Sequence, residues 1–369
     1  MHILIVNKLY SPWLGGMETI VQQLAEGLPQ KDSTITTTVL CCQPRGQGTM
    51  ETINGVTVVK ASSWGRLWKM PVSFSFFRYF KTLSREADII DLHHPFPLGF
   101  LAYLLFKPKG KLVVHYHADI IKQRVSAWLI QPLLKHVLKR AHTIVVSNPN
   151  LVKSSPLLSS YPEKCVVIPF GIEYERLHQA IAPGAVNEIK QKYGKYVLFV
   201  GRLSYYKGVE YLLEAIRTLP YTVVIIGEGE ERGRLNYRIQ QLGIEQRVVF
   251  LPPQPYEQLA NFYAAAEVFV LPSVARSEAY GLVLLEAMAC GTPVISTELG
   301  TGTSFVNQHQ VTGFVVPPRD PRALAETIKH IMNNPEEYKK FSEQARARVE
   351  KLFTLDRMIE EHATLCKNL

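Results

Sequence analysis

Two successive doubly wound α/β domains are what the sequence predicts, and three observations carry that prediction. Short runs rich in β-branched residues alternate with helical patterns. The runs are apolar residue after residue, as strands buried on both faces are. The same grammar then restarts past the middle of the chain, after a stretch without strand pattern. With 369 residues and 47% hydrophobic content, there is enough chain to bury two cores.

In the first half the strand candidates are HILIVN (2–7), TITTTVLC (34–41), ADIIDL (87–92), KLVVHY (111–116), HTIVVS (142–147) and KCVVIPF (164–170). Helix candidates lie between them at 16–28, 97–106 and 124–140. Residues 178–195 carry Pro and Gly and no strand pattern, and are read as the interdomain linker. The second half offers KYVLFVG (195–201), YTVVIIG (221–227), RVVFL (247–251), EVFVLPS (267–273) and PVIST (293–297), each followed by helical patterning. Residues 335–366 read as closing helices. Ligands of open parallel sheets bind at the carboxyl ends of the strands, and two such sheets facing one another would make a cleft.

The longest apolar run, PLGFLAYLLF at 97–106, falls well short of the roughly 18 to 20 residues a bilayer span requires. The start, MHILIVNKLYSPW, is too short in apolar length for a secretory signal, so a cytoplasmic protein is expected. Cysteines 41, 42, 165, 290 and 366 show no CxxC and no Cys/His cluster at zinc-ligand spacing, which indicates reduced thiols and no structural metal. Residues 1–190 hold 21 basic and 12 acidic side chains, against 20 and 20 in 191–369, so the excess of +9 lies in the first half. Residues 52–85 and 120–162 contain several Lys and Arg and no acid, which calls for an anionic neighbour.

Several groups could carry chemistry. Arg202 and Lys207, in GRLSYYKG after a strand and before a helix, suit a diphosphate, or are two solvated cations. Glu278 and Glu286 are eight residues apart; along a helix that is about 12 Å, so they would hold hydroxyls on two separate rings rather than share one proton or metal. Glu286 within GLVLLEAMA could equally face the edge of the core. Amides near 279–282 would point at an anion between the rings. Gly15 and Gly16 let a ligand approach the backbone after the first strand. His117 and Asp119 end the fourth strand and could project into the cleft or be structural, as could His93 and His94. Gly227, Gly229 and Gly233 are spaced GxGxxxG among Glu228, Glu230 and Glu231, which would repel a pyrophosphate, so nicotinamide binding is rejected. There is no GxxxxGK[ST] loop and no Asp-x-Asp to clamp a Mg²⁺-diphosphate. Residues 62–85 interleave Trp64, Trp68, Phe74, Phe76, Phe77, Tyr79 and Phe80 with Arg66, Lys69, Arg78, Lys81 and Arg85, a mixture suited to an anionic membrane or to nucleic acid, or to a core edge with solvated charges.

GRLSYYKG, SEAYGLVLLEAMACGTPVIST and VTGFVVPPRDP, preceded by GGME, resemble the retaining glycosyltransferases of family 4, which have the GT-B fold. YYKG and TSFVNQHQVTGF are most similar to bacterial mannosyltransferases of O-antigen and other surface-polysaccharide assembly. The resemblance covers essentially the whole chain. It implies an acceptor-side domain at 1–185, a nucleotide-sugar donor domain at 186–350, and a helix at 351–369 packing back toward the first. It implies that Arg202 and Lys207 hold the donor diphosphate and that Glu278 binds donor-sugar hydroxyls. Amides of Ala279, Tyr280, Gly281 and Leu282 would meet sugar and phosphate, and Glu286 the ribose. Gly16, beside Gly15, would lie against the diphosphate, and His117 would touch the sugar near the reacting carbon. Phe305 stands where many members carry Glu. The implied reaction is metal-independent transfer with retention, with GDP-mannose the favoured donor and UDP-sugars the runner-up. The acceptor would be lipid-linked or a polysaccharide precursor, met by a peripheral protein at the inner membrane face. Alternatives are a non-catalytic sugar-nucleotide-binding scaffold on the membrane and, less compatible with these motifs, nucleic-acid binding.

Overall fold

A computed structural model describes residues 1–12, 15–67, 70–119 and 124–369, of which 67 and 124–129 by backbone alone. The chain divides into two compact units: Met1–Phe170 with Leu355–Leu369, and Gly171–Thr354.

Unit 1 is built on eight strands: β1 (His2–Val6), β2 (Thr36–Cys42), β3 (Thr49–Ile53), β4 (Val56–Ala61), β7 (Ile89–His94), β8 (Lys111–Tyr116), β9 (Thr143–Val146) and β10 (Cys165–Val167), with β5 (Arg66–Leu67) and β6 (Met70–Pro71) forming a small separate hairpin. Their order is β10-β9-β8-β7-β1-β2-β4-β3, parallel except for β3. Helices α1 (Gly16–Lys31), α2 (Ser75–Leu83), α3 (Pro97–Phe106), α4 (Arg124–Arg140) and α5 (Pro149–Ser154) connect them. β1 and β9 are almost wholly buried, which explains why their sequences are nearly continuous apolar runs, whereas β7, equally buried, carries Asp91, His93 and His94. The β3–β4 hairpin was not among the expected strands. Its turn is Asn54-Gly55, both at positive φ (47° and 84°), as a tight two-residue turn demands.

Unit 2 begins with α6 (Tyr174–Gln179) and α7 (Pro183–Tyr193) and has a six-stranded parallel sheet: β11 (Tyr196–Val200), β12 (Thr222–Ile226), β13 (Val248–Leu251), β14 (Val268–Leu271), β15 (Val294–Thr297) and β16 (Gly313–Val316), in the order β13-β12-β11-β14-β15-β16. α8 (Val209–Arg217), α9 (Arg232–Leu242), α10 (Tyr256–Ala265), α11 (Leu282–Ala289), α12 (Thr303–Val306), α13 (Pro321–Asn333) and α14 (Pro335–Leu352) complete it. β16 was also unforeseen. It is four residues long and opens on Gly313, where an added Cβ would lie 1.9 Å from the Val294 carbonyl oxygen.

The division falls after Phe170, earlier than the expected 185, because the Pro- and Gly-bearing stretch at 178–195 is helical rather than a free linker. α6 and α7 pack on α10: Arg176 pairs with Glu257, and the Ala182 amide donates to Asn261 at 2.7 Å. The return falls at 354/355 rather than 350/351, where the Ile172 amide donates to the Phe353 carbonyl at 2.9 Å within unit 2. α15 (Leu355–Asn368) belongs to unit 1. It lies on α1, with Lys31 bridging Asp356 at 2.9 Å and Glu360 at 3.4 Å. Ile359 sits against Gly27, where a Cβ would come within 2.2 Å of its Cδ1.

All five cysteines are free. Among the described residues, no helix is long and apolar enough to cross a membrane.

Candidate active site

In unit 2 the site begins where β11 ends. The loop Gly201–Ser204 lies directly against the loop after β12: the Leu203 amide donates to Glu228 O at 2.8 Å, and Glu231 N donates to Leu203 O at 3.1 Å. A Cβ on Gly227 would sit 2.1 Å from Gly201 O, and one on Gly229 2.3 Å from Leu203 O. Those two glycines are therefore needed for backbone to pass backbone, a packing reason for both.

A 3₁₀ turn, Tyr205–Lys207, follows, closed by Gly208 in the left-handed region at φ 65°. A side chain at Gly208 would strike the Pro272 carbonyl oxygen at 2.2 Å, and Val274 N donates to Tyr206 O at 2.8 Å. This close seating against the loop after β14 carries Lys207 to Glu278, Nζ to Oε2 2.6 Å, with both side chains buried. The Ser273 hydroxyl donates to the same carboxylate oxygen at 3.0 Å. Burial opposes the charge on Lys207, but Glu278, Tyr206 and Glu286 outweigh it and hold the ammonium above its usual pKa. A buried, fully charged cation results.

Glu278 does not lie in the helix. α11 starts at Leu282, capped by Gly281 at φ 84°, so the expected helical rise between Glu278 and Glu286 does not apply. Glu278 belongs to a loop pinned to its neighbour: Thr301 Oγ1 donates to Glu278 O at 2.8 Å, and Gly302 N donates to Ala279 O at 2.8 Å. Tyr280 is buried with its ring against Gly302, and Leu282 is half-buried in the first turn. Glu286 accepts from the Tyr263 hydroxyl at 2.7 Å. Burial raises its pKa, partly countered by that bond and by Lys207. Arg202 is exposed and pairs with Glu230 at 3.3 Å. Both it and Lys207 act electrostatically on the intervening Tyr206. Phe305 is absorbed elsewhere, edge-on to Phe353 at 5.7 Å with Arg348 donating to its carbonyl at 2.7 Å.

In unit 1, Gly15 caps α1 in an extended conformation, and Glu18 folds back so that a Cβ on Gly15 would meet its Oε2 at 2.4 Å. At Gly16, outside its own helix backbone and chain neighbours, no atom of the described residues lies within 4 Å of a Cβ built there. The strands β7 and β8 pair in parallel with His93 opposite His115. Period-two alternation then puts Asp91, His93, His115 and His117 on one face of the sheet and His94 and Tyr116 on the other. The four on the first face are buried together. His115 Nε2 is 3.2 Å from Asp91 Oδ2, and His93 Nδ1 is 2.9 Å from His117 Nε2. His362 of α15 stacks on His115 at 5.1 Å. This cluster was not anticipated, although the alternating Asp-x-His and His-x-His runs were its signal. The sequence spacing suggested no metal-type group, yet nitrogens of His93, His115 and His117 lie within 4.8 Å of one another. On the opposite face His94 is sandwiched between Tyr116 and Phe100. Asp119 accepts from the hydroxyls of Tyr116 and Ser155.

The aromatic-basic segment resolves into two kinds of residue. Phe76 and Phe80 are core, not surface, while Trp64 (77% exposed) and Phe74 (69%) lie ring to ring at 5.2 Å in solvent. Trp68 and Lys69 fall outside the described residues.

Comparison with known proteins accords with this arrangement. Residues 14–176 match the family described as Glycosyltransferase Family 4, and residues 186–348 the one described as Glycosyl transferases group 1. The chain is 35% identical over 371 residues to O-antigen chain mannosyltransferase C of Escherichia coli, spanning all of this chain and 99% of that one. It is 34% identical over 356 residues to a D-rhamnosyltransferase of Pseudomonas aeruginosa, spanning 96% and 92%. Among solved structures, sucrose-phosphate synthase from Thermosynechococcus elongatus aligns with a TM-score of 0.82 at 22% identity, covering 100% of this chain and 98% of the other. Anabaena HepE in complex with UDP aligns at 0.81 and 20%, covering both chains fully. Fold and matches together define a glycosyltransferase of GT-B architecture. The chain belongs to glycosyltransferase family 4.

Proposed function

We propose that this glycosyltransferase moves mannose from GDP-mannose to a lipid-linked or polysaccharide-precursor acceptor in O-antigen assembly, retaining the anomeric configuration and needing no metal. The observation that carries the reading is the buried Lys207–Glu278 pair at 2.6 Å, set beside the start of α11. The full-length likeness to an O-antigen mannosyltransferase supports the choice of sugar.

As the bond from C1 to the departing oxygen breaks, negative charge gathers on the diphosphate and positive charge on the sugar ring. A preorganised ammonium stabilises the first without reorganisation, and Arg202 and the amides of Ala279 to Leu282 add to it. Glu278 keeps Lys207 charged despite burial and offers its remaining acceptor capacity to sugar hydroxyls. Glu286 takes the ribose diol. Gly16 gives the diphosphate room at the start of α1, and His117 meets the sugar. The departing phosphate oxygen helps accept the acceptor's proton, so no protein nucleophile is assigned. Exposed Trp64 and Phe74, with exposed Arg66, Arg78, Lys81 and Arg85 nearby in sequence, support docking to an anionic membrane at the cytoplasmic face.

The test is incubation with GDP-mannose and a lipid-linked acceptor in the presence of EDTA, following GDP release and the anomeric configuration of the product. Undiminished release with retention is expected. Stronger stabilisation by UDP than by GDP would replace the donor, and inversion or a metal requirement would overturn the mechanism.

A further inference from the structure

The unit 1 cluster contains a proton-counting problem whose solution bears on His117. His93 is fully enclosed and His117 is buried with 7% of its surface exposed, and burial together with neighbouring imidazoles lowers the pKa of each. Each ring is therefore neutral near pH 7 and carries one N–H. The hydrogen bond between His93 Nδ1 and His117 Nε2, 2.9 Å long, needs one donor and one acceptor, so two arrangements are available.

In the first, His93 donates from Nδ1. Its Nε2 lone pair then faces Asp91 Oδ1 at 3.7 Å, negative toward negative in a site without water-like screening. In the second, His117 donates from Nε2 to His93 Nδ1, and His93 turns its Nε2–H toward the carboxylate. At 3.7 Å this is too long for a hydrogen bond, but it is attractive where the first arrangement is repulsive. Among the described residues neither Asp91 Oδ1 nor His93 Nε2 has a hydrogen-bond partner, so none of them competes with that choice. Asp91 Oδ2 is separately engaged by His115 at 3.2 Å.

We infer that Asp91 and His93 are positioning residues that lock His117 as the Nε2–H tautomer, leaving a bare Nδ1 lone pair to accept a hydrogen bond from a donor-sugar hydroxyl. The tautomer follows from the cluster alone. The hydroxyl contact rests on the donor reading above, and the two parts fail separately.

Nitrogen-15 NMR of the full chain labelled at histidine reads the tautomer directly. In the unsubstituted protein His117 should show its proton on Nε2. His93→Asn leaves an amide oxygen close to the Nδ1 position and should preserve that state, while His93→Leu removes the acceptor and should yield a mixture. A proton on Nδ1, a charged ring, or no change in His93→Leu would overturn the lock. Stoichiometric Zn²⁺ binding that abolishes the His93–His117 bond would overturn it too, since the nitrogens would then be metal ligands. With GDP-mannose, His93→Leu should raise KM about tenfold with a smaller change in kcat, and His93→Asn should restore it. A tautomer that moves while KM does not would remove the sugar contact and leave the lock standing.

Discussion

The two units bury polarity in opposite ways. Unit 2 keeps a formal charge inside, Lys207, and neutralises it with Glu278 at 2.6 Å. Unit 1 gathers imidazoles around Asp91 on one face of its sheet, and His93, His117 and His362 there, like His94 on the other face, are held below the usual histidine pKa, burial being the first cause in each. The three histidines of unit 2, at 178, 309 and 330, are all exposed. A charged pair gives a strong, fixed field of the kind leaving-group stabilisation requires. A carboxylate ringed by imidazoles gives direction, deciding which atom carries a proton. The first design is sensitive to losing one partner and the second to acid.

The largest expected effect comes from breaking the pair. Lys207→Ala should lower turnover by roughly a hundredfold or more and destabilise the protein by about 3 to 5 kcal/mol, because Glu278 is left buried without its cation. Chemical denaturation of Lys207→Ala and of Lys207→Ala/Glu278→Gln measures the second effect, and the double variant should regain part of the loss. Equal stability of the two would show that the pair is not coupled.

Acid separates the units next. His94 is depressed from 6.5 to about 4 and His362 to about 3. Below pH 6.5 the unfolded chain binds protons that these folded rings refuse, so stability is full above that pH and is lost as the pH falls from 6.5 to about 4 for His94 and to about 3 for His362. His94 alone accounts for about 3 kcal/mol by pH 4. Hydrogen exchange at pH 7 and pH 4.5 should show unit 1 losing protection first, and simultaneous loss in both units would erase the contrast. A smaller effect is expected from Gly27→Val, which crowds Ile359 and should cost about 1 to 3 kcal/mol, read as a lower melting temperature. Smallest for stability is Trp64→Ser/Phe74→Ser, within about 0.5 kcal/mol. This variant should nevertheless lose binding to anionic vesicles in a co-sedimentation assay, and unchanged binding would remove that patch from the membrane reading.

Much of this contrast was legible beforehand, but unevenly. The buried parallel strands of unit 2 are legible because burial on both faces selects apolar residues: KYVLFVG and EVFVLPS are β11 and β14 with only their ends trimmed. β3 gives little strand signal because TMETI is exposed along most of its length, and the legible marks of the hairpin are its turn, Asn54-Gly55, and the buried VTVVKA of β4. The domain break was displaced because Pro and Gly at 183–184 open a helix rather than interrupt one. Arg202, Lys207, Glu278 and Glu286 were visible as residue types in telling positions. That Lys207 touches Glu278, 71 positions away, was not, since it depends on Gly208 allowing one loop to press on another. The imidazole cluster needed the register of β7 against β8, which local pattern does not contain.

One consequence lies in how the chain is threaded. Unit 2 is a single unbroken stretch, whereas unit 1 is completed by α15, made after all of it. During synthesis the later-starting half can therefore finish folding while the earlier one still lacks a wall, its α1 groove and His115 ring uncovered until residues 355–369 emerge. The fold that begins first is the one that must wait, and an interrupted chain would release a finished unit 2 beside an open unit 1.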